Sequence, residues 1–304
     1  MRQACILGLL IAFGLLSCAS HRMTTYGGIG PERSLYYYQT GQGEPIILVH
    51  GGPGLNHYYF LPYMDRMASR NHMIYYDQKA CGESEIPTDT AAMSLASFVD
   101  DIDQVRKKFG LKKFHLLGHS WGAMLAAKYA IQYPQYLSSL ILVSPAGFSS
   151  ADVSEASKAL NRKFDYTDQF QRTQIIESQD FKNGAPSAMA DLMRLSFRQN
   201  MAKKDLIDSL NIFIPEDYAK RNAQLKYLFH DLRDYDLYPS LSTIKAPTLI
   251  IAGEDEVGLP ATNKINQKIP GSILKVIKEC GHFPFAEQPA AFDAAIYNFL
   301  LQLK

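Results

Sequence analysis

The sequence predicts an α/β fold with a mostly parallel sheet, flanking helices and an inserted helical lid. Short apolar runs alternate with helical patterns near both ends of the chain, which is the order of elements in a parallel sheet. The alternation stops between residues 146 and 239, where polar amphipathic helical patterns replace it. Because strand-like pattern resumes after residue 239, the intervening helices are interpreted as a lid that is inserted between two strands of the parallel sheet.

Seven segments have the short apolar pattern of strands, bounded by turn residues. The predicted strands are 35–39, 45–50, 72–77, 114–117, 140–144, 248–253 and 273–277. Apolar residues recur at helical spacing in other segments, which predicts helices that pack on the sheet or form the lid. The core examples are 94–109, 123–132 and 292–303, and the lid examples are 158–160, 189–197 and 218–228.

The composition is that of a folded globular chain. Apolar residues make up 47% of the 304 residues and charged residues 20%, which does not indicate disorder. The 31 basic and 30 acidic residues form no charge run, so a nucleic-acid partner is not expected. No cysteine or histidine spacing is typical of a metal site, and no metal or other cofactor is predicted. No obligate protein partner is evident from the sequence either.

Residues 1–18 are predicted to be an export signal. Arg2 supplies a positive charge, and residues 6–16 form an apolar run that is short for a membrane span. The run ends in the sequence LLSC, which resembles a bacterial lipobox, so Cys18 would carry a lipid and residues 19–30 would be a tether. The prediction is an exported lipoprotein anchored at a membrane surface, in the periplasm or on the cell surface. Plain signal cleavage, giving a periplasmic or secreted protein, and an uncleaved anchor are the alternatives.

Two further cysteines, Cys81 and Cys280, lie in loops that are expected to approach the site. A disulfide between them is compatible with an oxidising export compartment. Two small apolar thiols are equally compatible with the sequence.

The sequence GHSWG at residues 118–122 is the strongest functional signal in the chain. It fits the pattern G-x-S-x-G, and it follows a predicted strand and precedes a predicted helix, as a nucleophile elbow does. Glycines on both sides of Ser120 allow the sharp turn that lifts the hydroxyl above the sheet. Ser120 is therefore the predicted nucleophile. The alternative is a simple glycine-rich turn.

The sequence HGGPG at residues 50–54 follows another predicted strand. Glycines there let a backbone N–H face a substrate oxygen without an intervening side chain. The N–H groups of Gly52 and Trp121 are predicted to form a two-donor oxyanion hole.

A general base and an acid are predicted near the end of the chain. His282 follows the last predicted strand, where the chain order serine, acid, histidine places the base. The acid must accept a hydrogen bond from the imidazole, and two neighbours qualify. The spacing from Gly253 favours Glu256, whereas the Asp-x-Val pattern and the distance to Gly271 favour Asp255. Asp255 is the predicted acid and Glu256 the alternative.

These segments, with YDQKACGES at residues 76–84 and CGH at 280–282, resemble the proline iminopeptidase family of α/β-hydrolase serine peptidases. This prolyl aminopeptidase family includes the tricorn-associated aminopeptidase. The resemblance implies an α/β-hydrolase fold, with a core of residues 31–145 and 240–304 and a lid of residues 146–239. The family roles that it implies are nucleophile Ser120, acid Asp255, base His282 and oxyanion donors Gly52 and Trp121. The family often has Arg-Gly at the positions of Lys79 and Ala80, and usually arginine at that of Glu83.

The implied activity is release of an N-terminal proline, or another small residue, from a short peptide through an acyl-enzyme on Ser120. Family members bind the free α-amino group with lid glutamates, and Glu155, Glu177 and Glu216 are available here. A carboxylesterase or amidase acting on small esters or amides would use the same catalytic residues. More remote alternatives are a ligand-binding lipoprotein without activity, a lyase and a cofactor-free oxygenase.

Overall fold

The structure is a computed structural model that describes residues 24–26 and 35–304. Its centre is an eight-stranded sheet. The strands are β1 (Thr24–Tyr26), β2 (Tyr37–Thr40), β3 (Glu44–Val49), β4 (Asn71–Tyr76), β5 (Phe114–His119), β6 (Leu137–Val143), β7 (Thr248–Gly253) and β8 (Ile273–Ile277). The predicted export signal, with Cys18, lies outside the described residues.

The sheet is parallel apart from one edge, as predicted. The strand order is β1-β2-β4-β3-β5-β6-β7-β8, and only the pairings of β2 with β1 and with β4 are antiparallel. The register of β3 and β5 places Val49 opposite Gly118. Because these strands are parallel, the loops that follow them leave the sheet at the same edge, and these are the loops with the sequences HGGPG and GHSWG.

Helices cover both faces of the sheet. They are α1 (Leu95–Lys108), α2 (Trp121–Gln132), α3 (Ser150–Asn161), α4 (Tyr166–Glu177), α5 (Gln179–Lys182), α6 (Pro186–Arg198), α7 (Tyr218–Asp231), α8 (Leu259–Lys268), α9 (Pro284–Glu287) and α10 (Pro289–Leu301). Short 3-10 helices span His57–Phe60, Met64–Ser69, Thr90–Ala92, Pro134–Tyr136, Lys204–Ser209 and Tyr238–Thr243. No helix in the described part of the chain is long and apolar enough to cross a membrane.

Two apolar clusters form the core, one on each face of the sheet. Alternate residues of a strand enter opposite clusters, as Ile47 and Leu48 of β3 do. Helices α1, α2 and α8 pack on the first face, and α9 and α10 pack on the second. This packing on both faces fixes the ends of the strands, from which the loops with the sequences HGGPG and GHSWG emerge.

The predicted lid segment, residues 146–239, holds the five helices α3 to α7 between β6 and β7. Its two ends lie side by side, because Ser149 and Asp236 form an antiparallel bridge and the Leu237 N–H donates to the Phe148 carbonyl at 2.9 Å. An insertion whose ends meet in this way leaves the parent sheet uninterrupted.

The strands β7 and β8 have the predicted bounds, whereas β1 was not predicted. Strand β1 lies inside the stretch predicted to be a tether and pairs with β2 at the sheet edge. Three residues with no apolar alternation give no strand signal in a sequence. The remaining tether residues lie outside the part of the chain that the structure describes.

Candidate active site

Ser120 lies in a tight turn between β5 and α2. Its backbone has φ of 55° and ψ of −120°, a conformation that costs energy for any residue with a side chain. The flanking glycines make the turn possible. A Cβ on Gly118 would collide with the carbonyl oxygen of Gly122, and one on Gly122 with that of Val49. The strand–turn–helix geometry predicted for the nucleophile elbow is the geometry that the chain adopts.

The imidazole of His282 is paired with Glu256. Nδ1 of His282 and Oε1 of Glu256 are 2.6 Å apart. The two side chains are 13% and 1% exposed, so the pair is shielded from water. Because a carboxylate oxygen accepts, Nδ1 carries the proton and donates it, which leaves Nε2 as the acceptor.

The prediction of Asp255 as the partner of His282 is wrong, and the alternative Glu256 takes that position. After β7 the Asp255 N–H donates to the Cys280 carbonyl at 2.9 Å, which fixes the turn. In this turn the Asp255 side chain is exposed, and the backbone carbonyl of Asp255 accepts a hydrogen bond from Lys163 Nζ at 2.9 Å. The next side chain, that of Glu256, therefore points inward.

Ser120, Glu256 and His282 line one cavity of about 160 Å³. Lid helix α3 closes one side with Val153, Ala156, Ser157 and Leu160. Within the described residues no hydrogen bond joins the Ser120 hydroxyl to the imidazole. Such bonds are often long in ligand-free enzymes and shorten when substrate binds.

Trp121 directly follows Ser120, and the residue before Gly52 also lies close to Ser120, because a Cβ on Gly51 would be 3.2 Å from the Ser120 Cβ. Gly51 donates its N–H to the Tyr59 hydroxyl at 2.6 Å, so of the paired glycines it is Gly52 whose N–H is uncommitted among the described residues. Trp121 is the first residue of α2, where backbone N–H groups have no intrahelical acceptor. The positive end of the helix dipole adds to the attraction of this position for an oxyanion.

Gln78 connects the two donor segments. Its Nε2 donates to the His50 carbonyl at 2.7 Å, and its Oε1 accepts from the Trp121 indole at 2.9 Å. The His50 ring donates from Nδ1 to the Gly51 carbonyl at 2.7 Å and accepts the Gln78 N–H on Nε2 at 2.9 Å. Burial lowers the pKa of His50 to about 4, which keeps this ring neutral and this tautomer intact.

A family model for the alpha/beta hydrolase fold matches residues 44–289. The chain belongs to the alpha/beta hydrolase fold family. The hydrolase is 32% identical over 295 residues to a proline iminopeptidase of Lactobacillus helveticus, with 91% of this chain and 94% of the relative covered. This likeness confirms the resemblance predicted from the motifs.

Solved structures share the fold. The proline iminopeptidase of Mycobacterium smegmatis superposes on the hydrolase with a TM-score of 0.65 at 24% identity, over 93% of this chain and 98% of the other. A thermophilic esterase from Thermogutta terrifontis gives a TM-score of 0.67 at 21% identity, over 93% and 99% of the two chains. At these identities the likeness concerns the fold alone.

Two residues that sequence analysis missed hold the His282 loop of the hydrolase. The buried Glu287 carboxylate accepts the N–H groups of Gly281 and Phe283, both at 3.0 Å, on either side of His282. In the lid, the Asn200 carbonyl accepts the His282 N–H at 2.8 Å, and Asn200 Oδ1 accepts the N–H of Val257 at 3.1 Å. Asn200 of the lid segment therefore binds both the loop that carries His282 and the loop that carries Glu256.

The lid glutamates of the hydrolase lie away from the cavity. Glu155, Glu177 and Glu216 are exposed, and none of them lines it. Glu155 is paired with Lys158 at 2.8 Å. The polar groups that the lid does contribute to the cavity are Ser157 and Asn200.

Cys81 and Cys280 are buried free thiols, so the disulfide alternative is not realised. Burial raises the pKa of Cys81 to about 12 and that of Cys280 well above its usual range. Among the described residues, no cluster of three or more His, Cys, Asp or Glu side chains is arranged to hold a metal ion.

Proposed function

We propose that this hydrolase is a serine peptidase that releases N-terminal proline, or another small residue, from short peptides. The observation that carries the proposal is the buried 2.6 Å contact between Glu256 and His282 in the cavity that Ser120 lines. Glutamate in this position performs the task of the triad acid, because it fixes the imidazole tautomer and stabilises the imidazolium.

The proposed reaction begins when Ser120 Oγ attacks the carbonyl carbon and its proton passes to His282 Nε2. The carbonyl oxygen takes up the negative charge and accepts the N–H groups of Gly52 and Trp121. As the C–N bond breaks, His282 returns the proton to the leaving amine. Water then attacks the acyl-enzyme with His282 as base, and Ser120 regains its proton. No step requires a group outside the chain and water.

Two observations support proline as the acyl part of the substrate. The relative from Lactobacillus helveticus, 32% identical over nearly the full length of both chains, is a proline iminopeptidase. The cavity of about 160 Å³ is small, and Val153, Ala156 and Leu160 give it an apolar wall. A small apolar ring suits such a wall.

A carboxylesterase acting on small esters is the second candidate. The observation that favours it concerns the lid residues Glu155, Glu177 and Glu216. All three are exposed and none lines the cavity, so none of them can pair there with a substrate ammonium group. The same triad and oxyanion donors serve both reactions, so the catalytic residues do not separate them.

Three substrates distinguish the two candidates. They are the arylamide of proline, the arylamide of N-acetylproline and an aryl ester of a small carboxylic acid. The peptidase proposal predicts the highest kcat/KM for free proline arylamide and at least about a tenfold loss on acetylation, because the acetyl group enlarges the part of the substrate that must enter the small cavity. A higher kcat/KM for the acetylated amide or for the ester would contradict the peptidase proposal and support the esterase. Ser120→Ala is the control, and it must abolish whichever activity is found.

A further inference from the structure

A chain of three hydrogen bonds joins the loops that carry the oxyanion hole, the nucleophile and the base. The Gly51 N–H donates to the Tyr59 hydroxyl at 2.6 Å. The Tyr59 hydroxyl and Nδ1 of His119 are 2.8 Å apart, and Nε2 of His119 is 2.9 Å from the His282 carbonyl oxygen. Tyr59 belongs to a 3-10 helix and His119 to the end of β5, so these hydrogen bonds connect separate elements of the fold.

The donor and the acceptor of each of these three hydrogen bonds can be assigned. The Gly51 amide only donates and the His282 carbonyl only accepts. The Tyr59 oxygen already receives the Gly51 proton, so its own proton goes to Nδ1 of His119, and His119 carries its proton on Nε2. Burial and the neighbouring His282 hold the pKa of His119 well below its usual range, so the ring is neutral and keeps this tautomer.

The two linking side chains are shut off from water. Tyr59 is 2% and His119 1% exposed. Aromatic rings pack around His119, with centroid distances of 5.5 Å to Phe283 and 5.3 Å to Phe285. Loss of the Tyr59 hydroxyl would leave a buried N–H and a buried ring nitrogen without partners, and the loops that carry them would move to find others.

We propose that Tyr59 and His119 are positioning residues that hold the oxyanion donor, the nucleophile and the base in register. This inference rests on the proposed serine-hydrolase function. Gly51 precedes the donor Gly52, His119 precedes Ser120, and the carbonyl at the far end belongs to His282 itself. A displacement at any of the three points changes a distance to the reacting carbonyl, which lowers kcat without removing a contact that binds substrate.

The test is Tyr59→Phe, with Tyr75→Phe as matched control. Tyr75 is also buried, and its hydroxyl donates to Asp65 at 2.8 Å, away from the site. Both substitutions remove one buried hydroxyl from a tyrosine and keep the ring. We expect Tyr59→Phe to lower kcat by about tenfold to a hundredfold with KM changed less than twofold, because a misaligned catalytic group costs rate in this range. Tyr75→Phe should leave kcat within twofold. Equal kcat values for the two variants would overturn the proposal.

Substitutions of His119 test the same series of hydrogen bonds, and they do so even if the Tyr59→Phe variant fails to fold. The oxygen of His119→Asn can take the place of Nδ1 and accept from Tyr59, whereas the amide of His119→Gln can take the place of Nε2–H and donate to His282. His119→Phe keeps a ring and does neither. We expect the lowest kcat for His119→Phe and partial recovery in the asparagine and glutamine variants, again with little change in KM. A phenylalanine variant with wild-type kcat would contradict the role.

A fluorophosphonate probe separates failure of this inference from failure of the proposed function. The proposed function requires that the probe label the wild type and not Ser120→Ala. The positioning role requires in addition that Tyr59→Phe be labelled about tenfold or more slowly than Tyr75→Phe, because the phosphonyl oxygen occupies the oxyanion hole. Labelling of the wild type with equal rates in the two tyrosine variants would refute the positioning role alone.

Discussion

At the scale of single residues, Asp255 and Glu256 show what a local pattern leaves undetermined. Both carboxylates follow β7, and spacing arguments favour each in turn. The conformation of the turn decides which carboxylate meets His282. In this turn the Glu254 N–H donates to the Ile277 carbonyl at 2.8 Å, and the Asp255 N–H donates to the Cys280 carbonyl at 2.9 Å. These partners come from the segment at and after β8, so the deciding contacts are distant in sequence.

Paired substitutions at these neighbours test the assignment of the acid. We expect Glu256→Gln to lower kcat by about 10³-fold or more, because an amide no longer holds the tautomer or stabilises the imidazolium. Asp255→Asn should change kcat less than twofold, since that side chain is exposed. Steady-state kinetics of both variants supply the measurement. The reverse ranking would return the role to Asp255.

The residues that could be predicted are those that stand in a motif beside a recognisable strand. Ser120, His282, Gly52 and Trp121 were predicted in this way, and the structure places Ser120 and His282 on one cavity. The residues that sequence analysis missed act across long separations. The Tyr59 hydroxyl contacts a histidine 60 positions later, and the Glu287 carboxylate contacts an N–H group 85 positions earlier. No local pattern records such a contact.

At the scale of elements, the alternation of strands and helices predicted the sheet well because buried parallel strands are short apolar runs. Strand β6 begins at Leu137, three residues before the predicted start, since polar Ser138 and Ser139 interrupt its pattern. The lid was predicted as helical, but the faces of its helices were not assigned. Which face of α3 meets the cavity depends on how the lid docks, and its weak amphipathic pattern does not specify this.

Helix α3 sets the size of the cavity, and a matched pair of variants tests that role. Ala156→Phe adds a ring where the cavity is small, so we expect kcat/KM for proline arylamide to fall by about tenfold or more, mainly through KM. Glu155→Ala, on the exposed side of the same helix, should change kcat/KM for this substrate less than twofold. An Ala156→Phe variant with unchanged kcat/KM would show that the substrate binds elsewhere.

At the scale of the whole molecule, the buried thiols predict how the chain responds to alkylation. Cys81 and Cys280 are buried, and burial raises the pKa of each, so the reactive thiolate is scarce in the native state. We expect iodoacetamide to leave both unmodified in the folded protein and to modify both after unfolding without reductant. Mass mapping of the peptides measures this. Recovery of a Cys81–Cys280 disulfide peptide would contradict the structure.

The N-terminal prediction is independent of the site and needs its own experiment. In a bacterial host fed an azide-labelled fatty acid, we expect the full chain to take up label and to sediment with membranes. Cys18→Ala should remove the label, because the thioether link to lipid forms at that sulfur. Cys5→Ala is the control and should keep the label. Membrane association with no label on Cys18 would favour an uncleaved anchor, and a chain found free of membranes would favour plain signal cleavage.

The proposed function depends on covalent acylation of Ser120 with help from His282 and Glu256. Its most direct test is the intact mass of the protein after reaction with a fluorophosphonate, followed by peptide mapping. We expect one adduct per chain on the peptide that contains Ser120, no adduct in Ser120→Ala, and slow labelling in Glu256→Gln. An adduct on another residue, or a Ser120→Ala variant that reacts as fast as the wild type, would contradict it.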